Sequence, residues 1–208
     1  MREPIEVIFA ASKLLSKAAD EHLKGNWSEA EDLILQSEKP EIRAWTESLW
    51  GSKKANPNQQ IYHRVRGVDG LPAILSKRDR LPVRMPSAQQ KSEVIDKFGR
   101  NCAFCGIPLI SREVRVFLKK QYPNSLSWGR TNQTQHSAFQ CMWLQFDHVI
   151  PHCYGGDNST GNIVPACAGC NFGRMDRMLE QVGIADPREI KISKSTWDGL
   201  ERVRARRR

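Results

Sequence analysis

The stretch of sequence that decides the fold runs from residue 146 to residue 174 and reads FDHVIPHCYGGDNSTGNIVPACAGCNFGR. It combines two aspartates, two histidines, three asparagines, five glycines and a Cys-x-x-Cys pair in 29 residues. A packed core has little use for this mixture, because polar side chains are costly to bury without partners. The composition therefore indicates a functional site.

The same stretch passes through patterns typical of strands, a turn and a helix. The apolar run at 142–146 predicts a strand that leads directly into an Asp-His pair. Glycines and polar residues at 155–158 predict a turn, and residues 162–165 predict a short second strand. Apolar residues then recur at helical spacing from Cys167 to about Val182. The predicted order is strand, loop, strand, helix.

An Asp-His pair, a Gly-Gly turn, two spaced asparagines and a second Cys-x-x-Cys pair occur together in this order. The pattern resembles the HNH nucleases, also called ββα-metal nucleases, over roughly residues 88–182. The residues that carry the resemblance are Asp147, His148, Pro151, Gly155, Gly156, Asn162, Cys167, Cys170, Asn171 and Arg174. The resemblance implies an α+β fold, in which a helical N-terminal segment is followed by a ββα-metal nuclease domain stapled by a four-cysteine zinc site.

The resemblance also implies a role for each site residue. His148 would be the general base, since an ordinary histidine pKa of about 6.5 lets it take a proton from water at neutral pH. Asp147 and Asn171 would offer oxygen ligands to a hard cation such as Mg²⁺ or Mn²⁺ and leave positions for water and phosphate. Asn162 would pin the loop and keep His148 oriented. Arg174 stands where the family often has lysine, and either side chain could hold a phosphate.

Two Cys-x-x-Cys pairs, Cys102/Cys105 and Cys167/Cys170, are separated by 61 residues. Each pair presents two thiolates about one turn apart, and two such pairs complete a tetrahedral zinc site. Because four thiolates leave no open position, this zinc would be structural. The alternatives are disulfides or free cysteines in the core.

Charge is unevenly spread along the 208 residues, whose net charge is +9. Residues 51–130 carry 16 Lys/Arg against 5 Asp/Glu, whereas residues 1–50 carry 6 against 10. A basic middle and a basic tail are typical of a protein with a polyanion partner. The resemblance implies that this partner is double-stranded DNA. The alternative is ordinary solvated surface charge.

Besides Arg174, the candidate phosphate-binding residues are Lys77, Arg78 and Arg80, with Arg84 close behind them. Prolines interrupt the surrounding sequence and break any long helix. The cluster is either an arm that follows the DNA backbone or an irregular connector, and the sequence leaves both interpretations open.

The chain divides into four predicted segments. They are an acidic helical N-terminal region at 1–60, a basic connector at 61–86, the nuclease domain at 87–185 with an insertion at 111–140, and a basic C-terminal tail at 186–208. The first segment contains three predicted helices and no catalytic constellation. We therefore expect it to dock a protein partner or to form a homodimer.

Several helix starts are also predicted. Ser28 and Glu31 have the spacing of a capping box ahead of the second helix, and Pro40 suits the first turn of the third. Ser87 and Gln90 predict another capping box at the start of the nuclease domain.

The N terminus shows no secretory signal, and no run approaches the ~18–20 apolar residues that a membrane helix needs. We therefore expect a cytoplasmic protein with reduced thiols, where cysteines more often bind metal than form disulfides.

Two functions fit these patterns. The first is an HNH-type DNA endonuclease that hydrolyses phosphodiester bonds to 5′-phosphate and 3′-hydroxyl ends, cuts one strand per active site, and serves, by analogy, in restriction or anti-phage defence. The alternative is a non-catalytic zinc module that binds nucleic acid or a protein. The alternative explains the cysteines and the charge, but not the spacings of Asp147, His148, Asn162 and Asn171.

Overall fold

The computed structural model describes residues 3–50, 66–190 and 195–205. Parts of three predicted segments fall outside these residues: the end of the N-terminal region at 51–60, the start of the connector at 61–65, and residues 191–194 and 206–208 of the basic tail.

The described residues form helices around a two-stranded sheet. The helices are α1 (Glu6–Lys24), α2 (Trp27–Ser37), α3 (Pro40–Trp50), α4 (Ala88–Phe98), α5 (Arg112–Gln121), α6 (Ser137–Cys141), α7 (Ala168–Arg174) and α8 (Leu179–Val182). The strands are β1 (Leu144–His148) and β2 (Ile163–Cys167). This arrangement confirms the predicted α+β class. No described helix is long and apolar enough to cross a membrane.

The three N-terminal helices form as predicted, but the second begins in a different way. Gly25 ends α1 in the left-handed conformation, with φ of 86°, so the chain turns and re-enters a helix within two residues. Asn26 is the N-cap of α2, and its side chain makes no capping hydrogen bond. Ser28 therefore lies inside the first turn, and the capping box predicted from Ser28 and Glu31 is wrong.

The helix at the start of the predicted nuclease domain begins as its sequence predicts. The Gln90 backbone N–H donates to Ser87 Oγ at 3.2 Å, and the Ser87 N–H donates to Gln90 Oε1 at 2.8 Å. This reciprocal pair fixes the start of α4. The helix delivers the chain to the first cysteine pair.

The sheet consists of β1 and β2, which pair antiparallel with Asp147 opposite Val164 and His148 opposite Ile163. Asp147 and His148 are therefore the last residues of β1 and not the start of the following loop. The strand begins later than predicted, at Leu144, because α6 ends with Met142 as its C-cap.

The single helix predicted from Cys167 to Val182 is wrong, since the structure divides it into α7 and α8. Met175 breaks the helix with a left-handed φ of 59°. The physical reason lies in Arg174, whose guanidinium points inward and donates to the backbone carbonyl of Arg177 at 2.6 Å. The chain after α7 therefore folds back around the buried guanidinium of Arg174. Helical spacing in the sequence does not reveal this turn.

The N-terminal helices share one hydrophobic core with the predicted nuclease domain. Helix α3 packs directly on α7, and small residues allow the close approach. A Cβ on Gly169 would lie 2.8 Å from Leu49 Cδ1, and one on Gly173 would lie 3.4 Å from the Leu49 carbonyl oxygen. The first fifty residues therefore help to hold the helix that carries Asn171.

The insertion at 111–140 also belongs to this core. It forms α5 and the start of α6, and it buries Val114, Leu118 and Phe139. The guanidinium of Arg115 stacks 3.5 Å from the ring centroid of Trp128. Part of the insertion is thus used for packing, and the rest of its side chains are exposed or partly exposed.

Candidate functional site

A cleft of about 1030 Å³ opens beside the end of β1. Its walls include Asp147 and His148 from β1, Asn171 and Arg174 from α7, and Arg80 and Arg84 from the connector. The structure therefore brings the Asp-His pair and Asn171 to one cleft, as the predicted element order requires.

Asp147 is 5% exposed and lies against the equally buried Arg174, which is 1% exposed. Arg174 Nε donates to Asp147 Oδ2 at 3.0 Å, and Nη2 donates to Oδ1 at 2.7 Å. Arg174 also donates to the backbone carbonyl of His148. Burial raises the pKa of the Asp147 carboxyl to about 6, although the Arg174 guanidinium opposes this shift. Arg174 thus orients the end of β1, and its predicted binding of phosphate stays a prediction.

His148 is 8% exposed at the last position of β1. Its Nε2 lies 2.9 Å from Asn158 Oδ1. Burial lowers the pKa of the His148 imidazole below its ordinary value, although the hydrogen bond to Asn158 opposes this shift. The side chain is therefore neutral at neutral pH and is able to accept a proton.

Asn162 pins the loop that follows β1. Its Oδ1 accepts from the Ile150 N–H at 2.8 Å, and its Nδ2 donates to the carbonyls of Ile150 at 3.1 Å and Asp157 at 2.9 Å. Gly156 lies inside this network, where a Cβ would fall 1.7 Å from the Ile150 carbonyl oxygen. These contacts hold the two ends of the loop together, in keeping with the role that the resemblance implies for Asn162.

The connector lies along the same loop. The Leu75 N–H donates to the Cys153 carbonyl at 2.8 Å, and His152 Nε2 lies 2.8 Å from the Leu81 carbonyl oxygen. Asn158 Nδ2 donates to the Val83 carbonyl at 2.8 Å. These contacts hold the connector beside the cleft, where Arg80, Arg84 and Met85 form part of the lining.

The four basic residues between positions 77 and 84 of the connector fall into two groups. Arg80 and Arg84 line the cleft, whereas Lys77 and Arg78 lie in the short 3-10 turn outside its lining. The Arg78 side chain is 86% exposed. The sequence predicts one phosphate-binding group of Lys77, Arg78 and Arg80. Spacing along an irregular segment does not show which of these side chains turn towards the cleft.

The four paired cysteines form a second centre. The sulfur atoms of Cys102, Cys105, Cys167 and Cys170 all lie within 4.8 Å of one another. Cys105 Sγ is 3.7 Å from Cys167 Sγ, close to the edge of about 3.8 Å that a tetrahedron with Zn–S bonds of about 2.3 Å requires. The Ala103 N–H donates to the Pro165 carbonyl at 2.8 Å, which attaches the first knuckle to β2. The cluster is therefore positioned to bind a metal ion, and none of its members forms a disulfide.

One part of the cleft lining is aromatic. Trp50 and Phe172 have ring centroids 4.6 Å apart, and Trp143 lies 6.2 Å from Phe172. Trp50 ends α3, so the N-terminal helices contribute part of this wall. This contribution from the first fifty residues is not visible in the sequence.

Comparison with known proteins identifies the central segment. Residues 133–176 match the family model described as HNH endonuclease. The match spans β1, β2 and α7 and therefore the Asp-His pair, Asn162 and Asn171. No curated protein and no solved structure matches the chain. The chain thus contains a segment that matches the HNH endonuclease family, and two of the four clustered cysteines, Cys167 and Cys170, lie within that segment.

Proposed function

We propose that the protein is a metal-dependent DNA endonuclease that hydrolyses phosphodiester bonds to 5′-phosphate and 3′-hydroxyl ends. The observation that carries the proposal is a buried histidine next to a buried aspartate in a cleft that also contains Asn171 and two arginines. A neutral histidine, oxygen ligands and cations are the components that hydrolysis of a phosphodiester requires.

His148 is the general base in this proposal. It accepts a proton from the water that attacks the phosphorus atom. Burial keeps the imidazole unprotonated at neutral pH, and the cleft gives water access to its open side. The Asn162 network fixes the loop on which this geometry depends.

Asp147 and Asn171 would hold the catalytic Mg²⁺ or Mn²⁺. Each Asp147 oxygen accepts one hydrogen bond from Arg174 and keeps a further lone pair for a cation. The amide oxygen of Asn171 supplies a neutral, hard donor on the facing helix. The bound ion would polarise the phosphate and neutralise the charge that develops on the leaving 3′-oxygen.

The four-cysteine cluster would hold a structural Zn²⁺. Four thiolates match the preference of zinc and leave no position for water or substrate. The ion would join the knuckle at Cys102 to the start of α7, close to Asn171. The expected role is therefore to fix the helix that carries a catalytic ligand.

Arg80 and Arg84 would contact the phosphates beside the scissile bond, and Lys77 and Arg78 would contact the backbone further out. We expect that replacing both cleft arginines with glutamine lowers the slope of log affinity against log salt concentration by about 1.8, because each lost phosphate contact contributes about 0.9. Binding of a catalytically inactive variant to unrelated duplexes gives this slope. Replacing Lys13 and Lys120, which are exposed and lie outside the cleft lining, is the matched control. An equal loss of slope in both double variants would contradict the assignment.

One active site cuts one strand, so a monomer is expected to nick, and a dimer formed through the N-terminal helices could cut both strands.

The chemistry of the product ends tests the proposed reaction. Nicks with 5′-phosphate and 3′-hydroxyl ends are sealed by DNA ligase without prior treatment by kinase or phosphatase. Nicks that ligase seals only after such treatment would contradict the proposed reaction.

We also propose, by analogy with other small nucleases, a role in restriction or anti-phage defence in the cytoplasm. The acidic N-terminal helices support docking of a protein partner, because Trp27 and Leu35 are 66% and 57% exposed on α2. The shared core means that these helices are also part of the scaffold of the nuclease.

The rival function is a non-catalytic zinc module that binds nucleic acid or a protein. One observation favours it: Arg174 already donates to both oxygens of Asp147, which is the proposed ligand of the catalytic metal ion. Incubation with supercoiled plasmid in Mg²⁺ separates the two functions, since the zinc module would bind the plasmid without cutting it.

A further inference from the structure

The loop between β1 and β2 places the side chain of Asn158 between the catalytic histidine and the connector. Asn158 Oδ1 lies 2.9 Å from His148 Nε2, and Asn158 Nδ2 donates to the Val83 carbonyl at 2.8 Å. The amide group therefore bridges β1 to residues 75–86. Neither contact was anticipated from the sequence, where Asn158 looks like an ordinary turn residue.

The contact with Val83 fixes which way the amide faces. A backbone carbonyl oxygen can only accept a hydrogen bond, so the NH₂ group of Asn158 must point towards Val83. The amide oxygen then points towards His148, and it too can only accept. A hydrogen bond between this oxygen and His148 Nε2 therefore requires the proton to lie on Nε2.

A neutral imidazole carries one N–H, so Nδ1 of His148 retains the lone pair. The resemblance assigns to Asn162 the role of orienting His148. In this structure two residues share that role. Asn162 uses its side chain to hold the backbone of Ile150 and Asp157. Asn158 contacts the imidazole itself.

We propose that Asn158 is a positioning residue that holds His148 in the Nε2–H tautomer and fixes the ring, so that Nδ1 accepts the proton from the attacking water. The catalytic role of Asn158 rests on the proposed function, whereas the tautomer of His148 follows from the hydrogen bonds alone. The connector then has a second role beyond its arginines, because the Val83 carbonyl determines the direction of the Asn158 amide.

The first test reads the tautomer directly, without any turnover. Histidine side chains are labelled with ¹⁵N, and two-bond ¹H–¹⁵N correlations are recorded near pH 8, above the ordinary histidine pKa of about 6.5. The His148 signals are assigned by their absence from His148→Ala. We expect protonation at Nε2 and an Nε2–H proton that exchanges slowly with water. In Asn158→Leu, which removes both hydrogen bonds at similar side-chain volume, this proton should exchange too fast to be observed.

The second test separates turnover from binding. Asn158→Leu should lower kcat by roughly 10- to 100-fold, by analogy with the range seen when a partner that orients a metal-ligating histidine is removed, with KM changed by less than about twofold. Asn158→Asp keeps an acceptor for Nε2–H but loses the donor to Val83, so it should restore the slowly exchanging proton and part of the lost kcat. Ser159→Ala, on the same loop, is the control for general loop damage and should match the wild type in both readouts.

Two results would overturn the proposal. An Nδ1–H tautomer in the wild type contradicts the inferred direction of the hydrogen bond, even if His148→Ala is inactive. An unchanged kcat in Asn158→Leu contradicts the positioning role. A fully active His148→Ala, in contrast, would overturn the proposed function together with the catalytic role of Asn158, while the Nε2–H tautomer would still be observed.

Discussion

Replacing His148 with alanine is expected to lower the rate of DNA cleavage by roughly 10²- to 10⁴-fold, the usual contribution of a general base. The expectation follows from a buried, neutral imidazole that faces the cleft beside Asp147. Single-turnover hydrolysis of a labelled duplex in Mg²⁺ measures the effect. Binding of the variant to the same duplex should remain close to that of the wild type, since His148 contributes to the reaction and not to the phosphate contacts.

His152 provides the matched control for this variant. It is the other histidine in the lining of the cleft, with its ring centroid 6.1 Å from that of His148. Its Nε2 is used by the hydrogen bond to the Leu81 carbonyl. His152→Ala should therefore lose less than about tenfold, below the contribution of a general base. Equal losses in the two variants would show that the effect comes from damage to the cleft and not from removal of the base.

Replacing Cys170 with serine is expected to remove the structural metal and to destabilise the nuclease domain. Cys170 is fully buried within the cysteine cluster, and metal ligation contributes directly to folding free energy. A loss of roughly 5 kcal/mol would lower the melting temperature of a chain of this size by roughly 10–20 °C. Metal analysis of the purified protein and thermal unfolding followed by circular dichroism give the two readouts.

The control for the metal prediction is Cys141→Ser. Cys141 is equally buried but lies outside the four-cysteine cluster. This variant should keep its zinc and lose only the smaller free energy that follows from burying a hydroxyl, about 1–3 kcal/mol. A wild-type protein without zinc, or a Cys170→Ser protein that melts like the wild type, would contradict the structural role of the cluster.

The central part of the fold was predictable because its residues carry local signals. The Asp-His pair, the two glycines and the asparagine spacing predicted strand, loop, strand and helix, and the residues form this order. The capping box at Ser87 and Gln90 and the convergence of the two cysteine pairs were likewise predictable, because each depends on short spacings that have few structural solutions.

The remaining features depend on tertiary contacts that a single sequence does not show. The position of Arg174 in the sequence motif predicts an exposed residue that binds phosphate. In the structure Arg174 is buried, because Asp147 and several backbone carbonyls compensate its charge. That burial turns the chain at Met175 and ends the predicted long helix. The packing of α3 on Gly169 is equally hidden, since it joins residues far apart in the chain.

The shared core also determines which experiments are informative. Removing residues 1–50 would expose the apolar surface of α7 and of the insertion, so such a truncation would test folding and not DNA binding. Point substitutions at exposed positions of α2, such as Trp27→Ser, keep the core intact and are suited to a search for a protein partner.

The measurement that tests the central claim most directly is the fate of supercoiled plasmid across a range of protein concentrations in Mg²⁺. The proposed endonuclease converts the plasmid to the nicked form at low protein concentration, and EDTA abolishes this conversion. The His148→Ala variant in Mg²⁺ should likewise leave the plasmid supercoiled. A plasmid that stays supercoiled with the zinc-loaded wild type in Mg²⁺ or Mn²⁺, while the protein still binds it, would contradict the nuclease and favour the non-catalytic zinc module.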